Sequence, residues 1–109
     1  MSNQPKAIRV AHIINDQSLV LNVGKSDGIE VNQRFLIYGL GDEIADPATG
    51  ESLGRLELVR GTGRVSYVQD AICIVVSDYS KNPFKIVTVL GGEPDPFDNP
   101  SVGDFARKI

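Results

Sequence analysis

Apolar and polar residues alternate with a period of two along most of this chain, in short runs rich in Val, Ile, Leu and Thr. Successive side chains of a β-strand point to opposite faces, so this alternation is typical of half-buried strands. No stretch keeps a spacing of three to four for three turns without a Gly, a Pro or a β-branched run, so no amphipathic helix is expected. The pattern predicts strands over 7–14, 19–24, 34–40 and 84–90, with two or three more between 53 and 77.

Residues that suit tight corners separate these runs. The first two runs are close enough to form a hairpin. The run 71–77, AICIVVS, is apolar on both faces, which favours a central strand. Gly-Thr-Gly at 61–63 predicts either a hairpin turn or a bulge. Because their backbone or side-chain properties favour reversals, we assign the turns to Asp27, Gly28, Asp46, Pro47, Gly50, Gly103 and Asp104.

Several short strands in about 100 residues need an arrangement that hides their edges. We therefore predict an all-β fold, a small closed or partly open antiparallel β-barrel of five or six strands, SH3-like or OB-like. Residues 1–109 would form one domain, since this length suits a single core. Residues 91–101 contain three of the six prolines, so we expect a loop or tail there, with little to bury. Phe97, Phe105 and Ile109 are expected to cover the open edge of the barrel or to dock on another subunit.

Composition limits the classes of partner. Eleven Lys and Arg against fourteen Asp and Glu give a net charge of −3, without the positive field usual in nucleic-acid binders. No apolar stretch approaches the roughly 20 residues that span a bilayer, so no membrane association is expected. A single cysteine suits a reducing compartment. We expect a cytoplasmic protein, or a periplasmic one if an export signal has been removed.

The stretch DPATGESLG, residues 46–54, concentrates Asp, Pro, Thr and Gly. We interpret it as a tight connection between strands, because Asp46 can accept backbone hydrogen bonds and Gly50 can take a positive φ. The alternatives are a cation site that uses Asp42 and Glu51 with their acidic neighbours, or an anion cradle of backbone amides. The stretch lacks the ligand spacing of a calcium loop and the Gly-Lys-Ser/Thr of a phosphate loop.

His12 and Cys73 are the only histidine and the only cysteine. His12 would share a strand face with apolar residues, so we expect it to be packed and hydrogen-bonded to backbone rather than to act as a catalytic base. Cys73 lies between two isoleucines, where its thiol should be desolvated and poorly ionised. Neither residue therefore points to an enzyme.

Three arginines lie on or near one predicted hairpin, and a tyrosine follows them. If Arg55, Glu57 and Arg60 share its outer surface, they could contact phosphates, with the tyrosine nearby for stacking. The negative net charge and the low aromatic content, 6%, favour ordinary solvated arginines instead. The candidate contact residues for a ligand or partner are Arg55, Arg60, Arg64 and Tyr67.

The runs LNVGKSDGIEVNQRFLIY and EIADPATGESLG, followed near the end by VGDFAR, resemble the C-terminal domain of the bacterial flagellar assembly T proteins. The resemblance covers most of residues 7–107 and implies a small β-barrel with a role in binding other proteins. In place of the Gly that this family often has before the third strand, the chain has Asn32. The matching positions are Gly24, Asp27, Gly28, Ile29, Phe35, Asp46, Pro47, Thr49, Gly50, Leu53, Gly54, Gly103 and Asp104.

The sequence contains no recognisable catalytic constellation, metal cluster or cofactor loop. We therefore predict a non-enzymatic protein without cofactor that acts as a protein–protein interaction or assembly module, with a protein partner or self-association. The alternative is a barrel that binds nucleic acid or a small ligand through the arginine-bearing hairpin. A third hypothesis is an enzyme that uses Asp42, Asp46 and a divalent metal.

Overall fold

The computed structural model describes residues 6–78 and 94–109, and within them the protein is all-β, as the period of two predicts. A single 3-10 turn, Lys25–Asp27, precedes the third strand. The six strands of the described residues form one antiparallel sheet in the order β1-β2-β5-β4-β3-β6. Their bounds are β1 Val10–Asn15, β2 Ser18–Leu21, β3 Arg34–Ala45, β4 Ser52–Val68, β5 Cys73–Ser77 and β6 Phe105–Lys108. The strand predicted over 84–90 lies outside the described residues.

β1 and β2 form the predicted hairpin, and β5 has the predicted central place between β2 and β4. The prediction for His12 is wrong, because its side chain is exposed. Val10 pairs with Leu21, but a bulge follows and His12 pairs with Val20. One extra residue in the strand moves every later side chain to the opposite face. His12 therefore lies on the outer face although Val10 is buried.

β3 and β4 are much longer than the alternation predicts, at 12 and 17 residues. The third strand does not end at Leu40 but continues to Ala45. Gly61–Gly63 does not form a turn, because β4 passes through it. The bulge alternative is the one observed: Ile37 pairs with Gly61 while the next residue, Tyr38, pairs with Val59, so Arg60 is the extra residue.

The core lies on one face of the sheet, where side chains from all six strands meet. Its buried apolar members are Val10, Leu19, Leu21, Val23, Ile29, Phe35, Ile37, Val65, Cys73, Val75, Phe97 and Ala106. Phe97 corrects the expectation that 91–101 has little to bury, since its side chain is only 3% exposed. Its backbone N–H donates to Asp16 O (2.8 Å), and the Asp98 N–H donates to Arg60 O (2.7 Å). Residues 94–101 thus cross from the β1–β2 turn to β4, without a strand of their own.

The two edges of the sheet come together beside β6. An isolated antiparallel bridge joins Arg9 to Phe105, the Ala106 N–H donates to Ile8 O (2.9 Å), and the Val10 N–H donates to Asp104 O (2.7 Å). β6 covers the edge of β3 as expected of the tail, although Ile109 is exposed. The ladder of strands itself has two ends and is not closed, so the closed barrel stays a prediction.

Gly63 lies at a close contact between β4, β5 and Phe97. A Cβ on this residue would lie 2.3 Å from Val75 Cγ1, 3.0 Å from Val76 O and 3.1 Å from Phe97 Cζ. Because one of these atoms is backbone, the neighbours cannot simply rotate away. The absence of a side chain at Gly63 therefore allows β5 and Phe97 to pack against β4.

We predict that Gly63→Ala destabilises the protein by about 1–3 kcal/mol, the usual cost of overpacking a core. Urea unfolding followed by circular dichroism measures the change. Gly41→Ala on the same hairpin is the matched control, because its Cβ would meet a flexible Leu58 side chain at 3.3 Å. We expect the control to stay within about 0.5 kcal/mol of the parent protein. Equal stability of the two variants would contradict the close packing of β5 and Phe97 against Gly63.

Candidate interaction surface

The distal part of the β3–β4 hairpin, residues 40–59, extends past the core, and we call it the arm. Every residue of the arm is exposed except Gly41 and Asp46, which are half-buried. The side chains of Leu40, Ile44, Leu53, Leu56, Leu58 and Val59 are among the exposed large apolar groups. The arm is therefore a two-stranded ribbon that does not contribute to the core.

The tip of the arm is the stretch 46–51. The Asp46 carboxylate accepts a hydrogen bond from the Ala48 N–H (2.8 Å), and the Asp46 carbonyl accepts one from the Gly50 N–H (2.7 Å). Gly50 has a φ of 74°, a conformation that glycine adopts at low cost. The Glu51 N–H donates to Thr49 Oγ1. These amides are used within the turn, so they are not available as an anion cradle.

The pairing register determines which arm residues share a face, because directly paired residues of an antiparallel hairpin point the same way. Leu58 pairs with Gly39, and Gly39 continues the buried face that holds Phe35 and Ile37. Gly54 pairs with Ile44. Leu56 and Leu58 follow Gly54 by two and four residues on β4, so they point to the same side as Gly54. Ile44, Leu56 and Leu58 therefore form an apolar stripe on the core-facing side of the arm.

The apolar stripe is a continuation of the core face into a region where no described residue covers it. Ile44, Leu56 and Leu58 are 42%, 52% and 38% exposed. Two cross-strand pairs lie on the opposite side of the arm: Leu40 with Glu57, and Glu43 with Arg55. One side is thus mainly apolar, and the other is mixed.

An ion pair separates the core from the arm. Arg60 Nε lies 3.2 Å from Asp104 Oδ2, and their side chains are only 20% and 8% exposed. The same carboxylate oxygen accepts the Ser101 N–H at 2.7 Å. A Cβ on Gly39 would lie 2.7 Å from Arg60 Nη2, so glycine leaves the space that the guanidinium fills. Arg60 does not share the outer surface with Arg55 and Glu57, because the bulge at Arg60 turns its side chain toward Asp104.

The other predicted contact residues are widely separated. Arg55 on the arm and Arg64 on the sheet are nine positions apart, which corresponds to about 30 Å of strand. Arg64 pairs with Val76 and Tyr67 pairs with Ile74, so these two share the outer face of β4. The structure thus brings together Arg64 and Tyr67 but not Arg55 or Arg60. Binding of nucleic acid through the four residues stays a prediction.

Arg64 lies beside a charged network on the outer face. Asp78 accepts hydrogen bonds from Arg34 Nε (2.7 Å) and Thr62 Oγ1 (2.7 Å), and Arg64 Nη2 is 3.9 Å from it. Burial opposes the charge of Asp78, but the bonds from Arg34 and Thr62 and the two arginine charges lower its pKa below the usual value. The network neutralises part of the positive charge that a phosphate would need.

Cys73 is fully buried on β5. Burial raises the pKa of its thiol to about 11, although a backbone hydrogen bond with Leu21 opposes the shift. At neutral pH the nucleophilic thiolate is therefore scarce, which confirms the prediction of a poorly ionised thiol. Among the described residues, no group of three or more His, Cys, Asp or Glu is placed to hold a metal ion.

The residue types at 46–51 predict the tip of the arm, but the alternating pattern does not predict the arm itself. The alternation between 53 and 59 predicts a strand of the sheet, because an alternating strand has the same pattern whether or not a second layer covers it. The available signal was the length of the apolar runs on both sides of the turn 46–51. The strands on the two sides of the turn, β3 and β4, have 12 and 17 residues, which exceeds the five to six residues of an ordinary strand.

Comparison with known protein families and with curated proteins finds no match for this chain. The resemblance to the flagellar assembly T proteins therefore has no independent support and stays a prediction. Among the described residues, the structure has no helix long and apolar enough to cross a membrane.

We predict that Asp104→Ala lowers the free energy of unfolding by about 2–4 kcal/mol, because it leaves the half-buried Arg60 unpaired and removes the acceptor of the Ser101 N–H. Glu57→Ala is the matched control, since Glu57 pairs with Arg107 at 2.8 Å in an exposed position. The control should cost less than about 1 kcal/mol. Similar losses for both variants in urea unfolding would show that Asp104 has no special structural role.

We also predict an acid-sensitive contribution from Asp78. Its pKa is lower in the folded protein than in the unfolded chain, so the carboxylate stabilises the fold above the unfolded value of about 3.9. This stabilisation is lost as the pH falls through the folded-state pKa. Urea midpoints measured between pH 7 and pH 2 should fall less steeply for Asp78→Asn than for the parent protein, with Thr62→Val between them. If the urea midpoints of the parent protein and Asp78→Asn fall equally steeply with pH, the Asp78 carboxylate does not stabilise the fold as described.

Proposed function

We propose that this protein is a non-enzymatic interaction or assembly module that contacts a protein partner through its arm. The observation that carries the proposal is the apolar stripe, Ile44, Leu56 and Leu58, exposed on a ribbon that leaves the core. Contiguous exposed apolar groups on a soluble protein are typical of a binding surface. The stripe points toward a protein partner because it offers area to bury and no grouped positive charge.

The stability of the arm supports the same function. An isolated two-stranded hairpin is only marginally stable in water. Near the base, the Arg55 side chain donates to Gly41 O (2.9 Å), and Glu57 is bound to Arg107. Toward the tip, the arm depends on its own backbone ladder and on the turn at Asp46. A partner that covers the stripe would supply the second layer that the sheet provides elsewhere.

The rest of the fold serves in this proposal as a rigid base. We propose that the sheet curls into a partly open small barrel, with the contact of Arg9 and Phe105 at the meeting of its edges. The ion pair of Arg60 and Asp104 then holds the root of the arm against this barrel. An assembly role like that of the flagellar assembly T proteins is compatible with this arrangement and is part of the proposal.

The test is the triple variant Ile44→Ser/Leu56→Ser/Leu58→Ser, examined in lysate of the source cells after nuclease treatment. Since these side chains are exposed, we expect the variant to fold with nearly unchanged stability. Native size-exclusion chromatography of the tagged parent protein should show a complex larger than the monomer. We expect the triple variant to lose this complex, because it replaces the apolar surface without altering charge.

The matched control is Ile14→Ser/Val31→Ser/Val102→Ser, which replaces three aliphatic residues outside the arm that are at least as exposed as the stripe. The control should retain the complex. If the parent protein is monomeric in lysate, or if the complex survives in the arm variant, the proposed function is wrong. A complex that disappears with nuclease would favour the nucleic-acid alternative.

A further inference from the structure

The arm is strongly acidic. It carries five acidic residues, Asp42, Glu43, Asp46, Glu51 and Glu57, and one basic residue, Arg55, which gives the arm a net charge of −4. The whole chain has a net charge of −3, so all the remaining residues together have +1. The negative charge of this protein is therefore concentrated on the same ribbon that exposes the apolar stripe.

A second surface has the opposite sign. The residue ranges 6–15 and 105–109 contain no acidic residue but contain Lys6, Arg9, Arg107 and Lys108, which we call the basic patch. Its four members are all exposed. The two ranges lie side by side, because the Ala106 N–H donates to Ile8 O and Arg9 bridges to Phe105. Of the carboxylates around the patch, Asp104 is buried and paired with Arg60, whereas Asp27 lines one pocket with Lys6 and Lys108.

Arg9 and Arg107 of the basic patch lie over two aromatic rings, whereas Lys108 points to the other side of β6, because it pairs with the buried Phe35. Tyr38 and Phe105 stack with their centroids 5.7 Å apart. The Arg9 guanidinium lies 4.5 Å from the centroid of Phe105, and that of Arg107 lies 5.0 Å from the centroid of Tyr38. Cation–π contacts of this kind hold the guanidinium groups in place. The patch therefore combines positive charge with apolar area, as the arm combines negative charge with apolar area.

At the base of the arm, one acidic residue already pairs with a member of the basic patch. Glu57 accepts a hydrogen bond from Arg107 at 2.8 Å within one molecule. Asp46 and Glu51 at the tip cannot reach the same patch, because β3 runs from Tyr38 to the tip over about 25 Å. Asp42, Glu43 and Glu51 are exposed to solvent, so positive charge on another molecule can approach them.

We propose that the partner seated on the arm is a second copy of this chain, which presents its basic patch. Both complementary surfaces are present on one chain, and they are different surfaces. The contact is therefore head-to-tail, and repetition of it produces a ring or a filament. This inference rests on the proposed function of the arm and adds the identity of its partner.

Sedimentation velocity of the purified protein, from about 1 to 200 µM, tests the inference. We expect a mass that rises with protein concentration at about 20 mM salt and falls at about 500 mM salt, because charge pairs at a contact are screened. The arm variant Asp42→Lys/Glu43→Lys and the patch variant Lys6→Glu/Lys108→Glu should each associate at least tenfold more weakly. An equimolar mixture of the two variants should recover association, since each then carries what the other lacks.

Two charge controls lie outside both surfaces. Glu30→Lys/Asp70→Lys makes the same charge change as the arm variant at exposed positions, and Lys25→Glu changes the charge in the same direction as the patch variant, by half as much. Both should associate like the parent protein. Rescue by mixing also excludes misfolding as the cause of weak association, because an unfolded chain would not be rescued.

A protein that stays monomeric at all concentrations would overturn the inference. Association that is unchanged in both charge variants would overturn it as well. If the larger complex in lysate is lost in the apolar-stripe variant while the purified protein is monomeric, the arm binds a different protein. In that case the proposed function stands, and the inference that the partner is a second copy of this chain is wrong.

Discussion

The ion pair between Arg60 and Asp104 decides where the core of this protein ends. It joins the bulge of β4 to the turn that precedes β6, and Gly39 on β3 leaves the space for it. On one side of the pair, Phe35, Ile37 and Val65 are buried. On the other side, the same strands continue as an exposed ribbon. A charged pair is favourable in this largely buried position only because its hydrogen-bonding groups find partners: Arg60 and the Ser101 N–H both donate to the Asp104 carboxylate.

The arm follows from the unequal lengths of the strands. β6 pairs with β3 only from Phe35 to Tyr38, and β5 pairs with β4 only from Gly63 to Val68. β3 and β4 continue together beyond both neighbours. Leu58 and Leu56 stand on the same face of β4 as Val65 but have no layer of described residues opposite them. An apolar side chain is buried by what faces it, and its own strand cannot supply that layer.

Single-residue bulges explain most differences between the pattern and the structure. The extra residue after Val10 places His12 on the outer face, and the extra residue at Arg60 directs that side chain toward Asp104. A bulge reverses the alternation without a strong change in composition, so a period of two cannot locate it. Phe97 is a similar case, because its burial depends on the space above Gly63, more than 30 positions away in the sequence. Pairings at this separation leave no local pattern.

By itself, the sequence determined the strand character of the described residues, the hairpin of the first two strands, the central place of β5 and the poor ionisation of the Cys73 thiol. These properties depend on neighbouring residues: alternation selects strands, and a thiol within an apolar run is desolvated wherever that run is packed. The tertiary structure alone decided the face of His12, the partner of Arg60, the burial of Phe97 and the exposure of the apolar stripe. Each of these depends on register and on which strands end first, and both are set by contacts between residues distant in the chain.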